Sequence, residues 1–179
     1  MLLMQDTLNQ KQKCLWLMVG PPAAGKSTWL KKTVPFMNNT RIVSRDEIRL
    51  ALVAEEEPNF SREDEVYECF INEIRQALLE CDHVFVDATH ISEGSRKKTL
   101  ILLKPFINQC QVFPVVFNTT EETCLLRNSY REGRRQVPDS AIKNMKKSIT
   151  DPVYDKFFKY SDILYVEEDG DEHWWIADN

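Results

Sequence analysis

The chain has 179 residues, 42% hydrophobic and 28% charged, which is ordinary for a soluble globular protein and enough to bury a sizeable core. Its 28 acidic against 23 basic residues give a net charge of −5. That balance argues against a surface built to coat duplex nucleic acid, though not against a local basic groove.

The N-terminus lacks a signal-peptide pattern, because Asp6 and the polar run Asn9 to Lys13 follow only four mostly apolar residues. No apolar stretch approaches the ~20 residues that a bilayer span requires. Cys14, Cys69, Cys81, Cys110 and Cys124 show no metal-ligand spacing and read as reduced thiols. The expectation is a soluble, cytoplasmic protein without a membrane partner.

In chain order, Cys14 to Val19 (CLWLMV) is a wholly apolar run and predicts a strand buried on both faces of a parallel sheet. Gly20 to Gly25 is a breaker-rich loop, and Lys26 to about Thr33 reads as helix. Arg41 to Ser44 is a second strand, with helix from Asp46 to about Ala54. Ser61 and Asp64 resemble a capping pair that opens a helix of about 20 residues. Its apolar face is Val66, Cys69, Phe70, Ile74, Ala77, Leu78 and Cys81. His83 to Asp87 is the next strand, Ser92 to Ile107 a helix ended near Pro105, and Gln111 to Phe117 a strand. Glu121 to Tyr130 and Ser140 to Ile149 read as helices around a loop from Arg131 to Pro138. Asp162 to Val166 is a further strand, and the acidic, Trp-bearing end reads either as an edge strand or as a packed tail. Strands alternating with helices predict one domain over residues 1–179 with a three-layer α/β, doubly wound, mostly parallel sheet. In such folds functional residues collect at the carboxyl ends of the strands.

Gly20-Pro-Pro-Ala-Ala-Gly25-Lys26-Ser27 matches the phosphate-binding loop G-x-x-x-x-G-K-[ST] without a mismatch, between a strand and a helix as that motif requires. Gly20 and Gly25 let the backbone wrap an anion, and the helix from Lys26 adds its positive end. Pro21 and Pro22 have no N–H, so the cradle falls to Ala23, Ala24, Gly25, Lys26, Ser27 and Thr28. Lys26 suits the β and γ phosphates and Ser27 a Mg²⁺ ion. The expected ligands are therefore ATP and Mg²⁺.

Ser44 to Arg49 (SRDEIR) follows the second strand. Ser44 and Glu47 form a capping box, and Arg49 has the spacing to pair with Asp46 across one turn. Beside a phosphate loop, Asp46 also has the position of a base that takes the proton of an attacking hydroxyl. Asp87 closes an apolar strand, a candidate for Mg²⁺ or substrate, and His90 is a loop residue placed to contact substrate. Between Arg127 and Lys147 stand seven of the chain's 23 basic residues. Four of these are arginines around Gly133, and a mobile arginine lid over the transferring phosphoryl group explains them better than a solvated face.

With these blocks in hand, the sequence resembles the 5′-polynucleotide kinase branch of the P-loop kinases, from Cys14 to about Ile149. The likeness rests on GPPAAGKSTW, SRDEIR, VFVDATH and RNSYREGRRQVP, in that order. The resemblance implies a P-loop kinase type of fold with an arginine-bearing lid at about residues 127–138. It implies Lys26 and Ser27 on phosphate and Mg²⁺, Asp46 as general base, and Arg49 on the acceptor's phosphate. It also implies Arg131 on the donor phosphates and Asp87 as a carboxylate at the cleft. The acceptor would be the 5′-hydroxyl end of a nucleic acid. Two departures stand out. Glu132 is an extra lid residue before Gly133, which leaves the roles of Arg131, Arg134 and Arg135 open. The 179 residues are also too few for the phosphatase or ligase modules that accompany such kinases, so a kinase alone is expected. Two other readings use the same motifs: a P-loop kinase of a small-molecule hydroxyl, and a non-catalytic ATP-binding module.

Overall fold

Side-chain alternation along β1 (Lys13–Val19) divides the core in two. Leu15 and Leu17 enter one buried cluster, while Cys14, Trp16 and Met18 enter the other. A strand buried this completely needs a paired neighbour on each edge and a helical layer on each face. The computed structural model, which describes residues 13–177, supplies both. The segment read above as lacking a signal-peptide pattern lies outside the described residues, apart from Lys13.

The other strands are β2 (Thr40–Ser44), β3 (His83–Asp87), β4 (Cys110–Asn118), β5 (Ile163–Glu167) and β6 (Glu172–Trp175). They form one sheet in the order β2-β3-β1-β4-β5-β6, parallel throughout except where β6 runs antiparallel to β5. The helices are α1 (Lys26–Thr33), α2 (Arg45–Leu52), α3 (Glu63–Glu80), α4 (Glu93–Ile107), α5 (Glu121–Ser129) and α6 (Asp139–Ser148). Ile48, Val66, Phe70, Ile74, Leu100 and Leu103 bring α2, α3 and α4 onto one face. Trp29, Leu30, Cys124 and Ile142 bring α1, α5 and α6 onto the other. The result is the three-layer α/β fold with a mostly parallel sheet that the alternation predicts.

Local sequence accounts for most boundaries. Ser44, Ser92 and Thr120 accept hydrogen bonds from the first turns of α2, α4 and α5. The expected cap at Ser61 does not form: α3 starts at Glu63 behind Arg62, and the Ser61 hydroxyl donates to Glu57 instead. Three acidic residues, Glu63, Asp64 and Glu65, then complement the positive end of the helix. Pro105 does not end α4, which runs on to Ile107, because the carbonyl it leaves unpaired belongs to half-exposed Ile101. Pro114 sits inside β4, and β5 pairs with β4 only from Val115 onward, so that ladder is spared.

The C-terminal segment is an edge strand. Trp174 meets Trp16 edge-on at 6.3 Å, and Trp16 stacks on Phe113 at 4.7 Å and on Phe85 at 5.5 Å, a rung across three neighbouring strands. The indole N–H of Trp29 donates to Glu172 at 2.8 Å, tying β6 back to α1. Among the described residues, no helix is long and apolar enough to cross a membrane.

A buried ion pair closes the end of the sheet where the loops collect. Arg96 of α4 is fully buried and binds Asp155 twice, at 2.6 and 2.9 Å. Its remaining donors reach the His90 carbonyl and the Thr150 hydroxyl, both at 2.9 Å. His90 itself is buried, with Nδ1 at 3.1 Å from the Met18 carbonyl and Nε2 at 3.3 Å from the Thr99 hydroxyl. Burial pushes its pKa from the ordinary 6.5 down to about 3, and the nearby cations Arg45, Arg96 and Lys26 push the same way. The Met18 carbonyl opposes that shift without cancelling it.

Both features are measurable. Asp155→Ala leaves the Arg96 charge buried and unpaired, and should cost about 3–5 kcal/mol in urea unfolding. An unchanged midpoint would refute that role. The neutral His90 ring contributes stability fully above pH 6.5, and that contribution is lost as pH falls toward 3. His90→Asn, which tolerates the residue's φ of 39°, should therefore show a flatter fall in unfolding free energy across that acid range than the wild type.

Candidate functional site

The carboxyl end of β1 is where the chain leaves the sheet, and the loop after it takes its shape from small residues. Ala23 and Gly25 have positive φ, at 63° and 104°. Gly20 is closely packed: a Cβ there would lie 3.1 Å from the Phe117 Cβ on β4, tight enough that β4 would have to yield by a few tenths of an ångström. The Thr119 hydroxyl beyond β4 donates to the Ala24 carbonyl at 2.7 Å, and the Gly20 N–H donates to the Thr89 carbonyl at 2.9 Å. Neighbouring strand ends thus hold the loop from both sides, with the N-terminus of α1 opening inside it.

The Lys26 ammonium is buried and donates to the Gly20 carbonyl at 2.9 Å and the Pro21 carbonyl at 2.7 Å. Burial lowers its pKa, and Arg131 adds to that; Asp87 and Asp46 pull the other way. These influences put Lys26, Asp87, Asp46 and the lid residue Arg131 in one electrostatic neighbourhood.

Register explains how the carboxylates meet. Ser44 pairs with Asp87 across β2 and β3, so Asp46, two residues further on, leaves the sheet beside Asp87. The exposed Ser27 hydroxyl donates to Asp87 at 3.3 Å. Burial raises the Asp87 pKa, with Lys26 opposing and Asp46 adding to it. A hydroxyl and one carboxylate side by side suit Mg²⁺, which keeps several waters and fills its shell with substrate phosphate oxygens. Among the described residues there is no group of three or more His, Cys, Asp and Glu side chains for a metal held by protein alone.

On α2, the Asp46 side chain is 81% exposed and pairs with Arg49 of the next turn. Arg49 is buried, also binds Glu63 of α3 through Nε and Nη2, and lies over the Phe60 ring at 4.9 Å. Burial works against the charge on Arg49, but its bonds to Glu63 and Asp46 outweigh that and its pKa rises. Glu63 is held below its ordinary value: burial opposes this, and Arg49 and Arg45 overcome it. Arg49 thus ties Asp46 to Glu63 of α3 through three of its five N–H groups.

The lid is anchored at its base by buried Asn128, whose side chain bonds the Val137 carbonyl at 2.8 Å and N–H at 3.1 Å. Arg131 reaches the Arg135 carbonyl at 3.4 Å. Arg134 exchanges hydrogen bonds with Asn59 and donates to the Val53 carbonyl at 2.8 Å, while Arg135 meets Glu47 of α2 at 2.8 Å. These two arginines dock the lid onto α2 and the segment after it, leaving Arg131 the lid arginine whose charge is felt at Lys26.

Sequence reasoning counted Arg127 among the lid arginines without singling it out, and its guanidinium lies 3.5 Å from where a Cβ on Gly25 would stand. Its spacing of four before Arg131 was the available signal. His90, expected to contact substrate, is buried with both ring nitrogens engaged, by the Met18 carbonyl and the Thr99 hydroxyl.

Residues 15–152 match the profile of an AAA domain family, AAA_33. No curated protein matches the sequence significantly. Among solved structures, a chain of the Pnkp1/Rnl/Hen1 RNA repair complex superposes with a TM-score of 0.67 at 21% identity, over 80% of this chain and 46% of that one. A chain of the AvrRxo1-ORF1:-ORF2 complex with ATP gives 0.66 at 16% identity, over 96% and 59%. A sugar kinase from Janibacter sp. HTCC2649, unliganded, gives 0.57 at 15% identity, over 89% and 87%. The chain spans about half the length of the first two. At these identities the likeness is one of fold, that of P-loop kinases. With the profile covering residues 15–152 and the phosphate loop near the start of that span, the chain belongs to the AAA_33 family of AAA domains and carries a nucleotide-binding, P-loop kinase-like fold.

Proposed function

We propose that this chain is a single kinase domain, with its lid at about residues 127–138, that transfers the γ-phosphoryl group of ATP to a 5′-hydroxyl of DNA or RNA. The observation that carries the reading is the exposed Asp46 carboxylate, held by a buried arginine beside Lys26 and Asp87. A non-catalytic nucleotide-binding module has no need of a carboxylate fixed in that position.

Asp46 accepts the acceptor hydroxyl's proton as the new O–P bond forms at the γ-phosphorus. The bond to the bridging oxygen breaks in line, and ADP leaves. Lys26, the loop N–H groups and Arg131, with Arg127 nearby, stabilise the charge that develops on the transferring group. Ser27 and Asp87 would hold Mg²⁺, which when bound neutralises phosphate charge.

A second reading, transfer to a small-molecule hydroxyl, is favoured by a cavity of ≈ 220 Å³ lined by Arg45 and Ala88, the sequence neighbours of Asp46 and Asp87. A single assay with γ-labelled ATP, offering 5′-hydroxyl oligonucleotides beside small alcohols, separates the two. Asp46→Asn should lower transfer by about 10²–10⁴-fold while ATP binding is retained. Transfer that is undiminished in the variant, or absent with every acceptor, overturns the proposal.

A further inference from the structure

Behind Asp46, the cavity of ≈ 220 Å³ is bounded by α2, α3, the end of β3 and α4, with Arg45, Tyr67, Thr89, His90, Ser95 and Lys98 in its wall. Its charges do not balance. Lys98 has no ion-pair partner among the described residues, and its ammonium stands 4.3 Å from the centroid of the Tyr67 ring. Arg45 lies over the same ring at 5.1 Å. The one carboxylate it meets is Glu63, which also serves Arg49. The Nε of Arg45 is buried without a hydrogen-bond acceptor. Among the described residues, the cavity wall thus holds two cations, Arg45 and Lys98, and no carboxylate, together with the Thr89 hydroxyl.

A cavity of this size holding two cations, one unmet guanidinium N–H and the Thr89 hydroxyl is matched by a tetrahedral anion. We propose that Lys98, with Arg45 and Thr89, binds a phosphate group carried by the acceptor itself, and so selects acceptors in which a phosphate accompanies the reacting hydroxyl. This rests on the phosphotransfer reading above and assigns acceptor-phosphate recognition to Lys98 on α4, since Arg49 already bridges Asp46 and Glu63. The phosphate belongs to a nucleotide or to a sugar phosphate; both present the same anion.

The test compares γ-phosphoryl transfer to a nucleoside, its 3′-monophosphate, a 5′-hydroxyl dinucleotide and a hexose phosphate, with wild type, Lys98→Met and Lys98→Arg. Lys98→Met should raise KM for the phosphate-bearing acceptors about tenfold or more, leaving kcat and the KM for ATP within about twofold and the nucleoside unaffected. Lys98→Arg should restore most of the loss. The two phosphate sources separate by which acceptor shows the Lys98 effect. Equal use of nucleoside and nucleotide, or an equal loss on both in Lys98→Met, overturns the proposal. If no acceptor is phosphorylated at all, the kinase reading fails. The subsite is then judged by calorimetric binding of the nucleoside 3′-monophosphate with ADP present. Loss of that binding in Lys98→Met supports the subsite, and unchanged binding refutes it.

Discussion

Everything at the nucleotide end of this protein depends on one buried ammonium. Lys26 sits inside its own loop, bonded to the carbonyls of Gly20 and Pro21, with carboxylates close enough to sustain its charge but none in contact. A cation buried in that way is stable only where surrounding dipoles are fixed. Strand β1 fixes the start of the loop, Thr119 after β4 grips it at Ala24, and the backbone after β3 holds Gly20. The loop is preorganised because three strand ends share the work, and a phosphate entering it gains the Lys26 charge without remodelling the backbone.

A second chain of contacts organises the acceptor side and ties it to the lid. Glu63 on α3 holds Arg49, Arg49 holds Asp46, and Asp46 faces the loop from the end of β2. Arg134 and Arg135 then dock the lid on Val53, Asn59 and Glu47, all within or just after the same helix, α2. Movement of α2 would therefore shift the candidate base and the lid together. Asp46, Asp87 and Lys26 come together where strand register brings β2 and β3 to the same level.

Much of this was legible in the sequence because it is written in local rules. The apolar run at Cys14–Val19, the glycines and Lys26 of the phosphate loop, and the acidic strand end at Asp87 each depend on neighbours within a few residues. Their spacing predicts both element and position. The Asp46–Arg49 pair also follows from helical geometry, as residues three apart share a face. Where local rules misled, another local arrangement won: Ser61 turns back to Glu57 rather than capping α3, and α4 continues past Pro105 because the carbonyl left unpaired belongs to half-exposed Ile101.

By itself, then, the sequence determined a phosphate loop on a parallel α/β sheet, a carboxylate at the end of each of two neighbouring strands, and an arginine-rich lid. The tertiary structure decided which of those residues are free to act. It places β3 between β1 and β2, engages both ring nitrogens of His90, ties Arg49 to Glu63, and docks Arg134 and Arg135 on Val53, Asn59 and Glu47. It also brings Arg127 over Gly25 and gathers Arg45, Tyr67 and Lys98 around one cavity. The physical reason is separation along the chain. Periodicity fixes a side chain's face on its own helix or strand, but its partners come from elements tens of residues away, and only packing decides which they are.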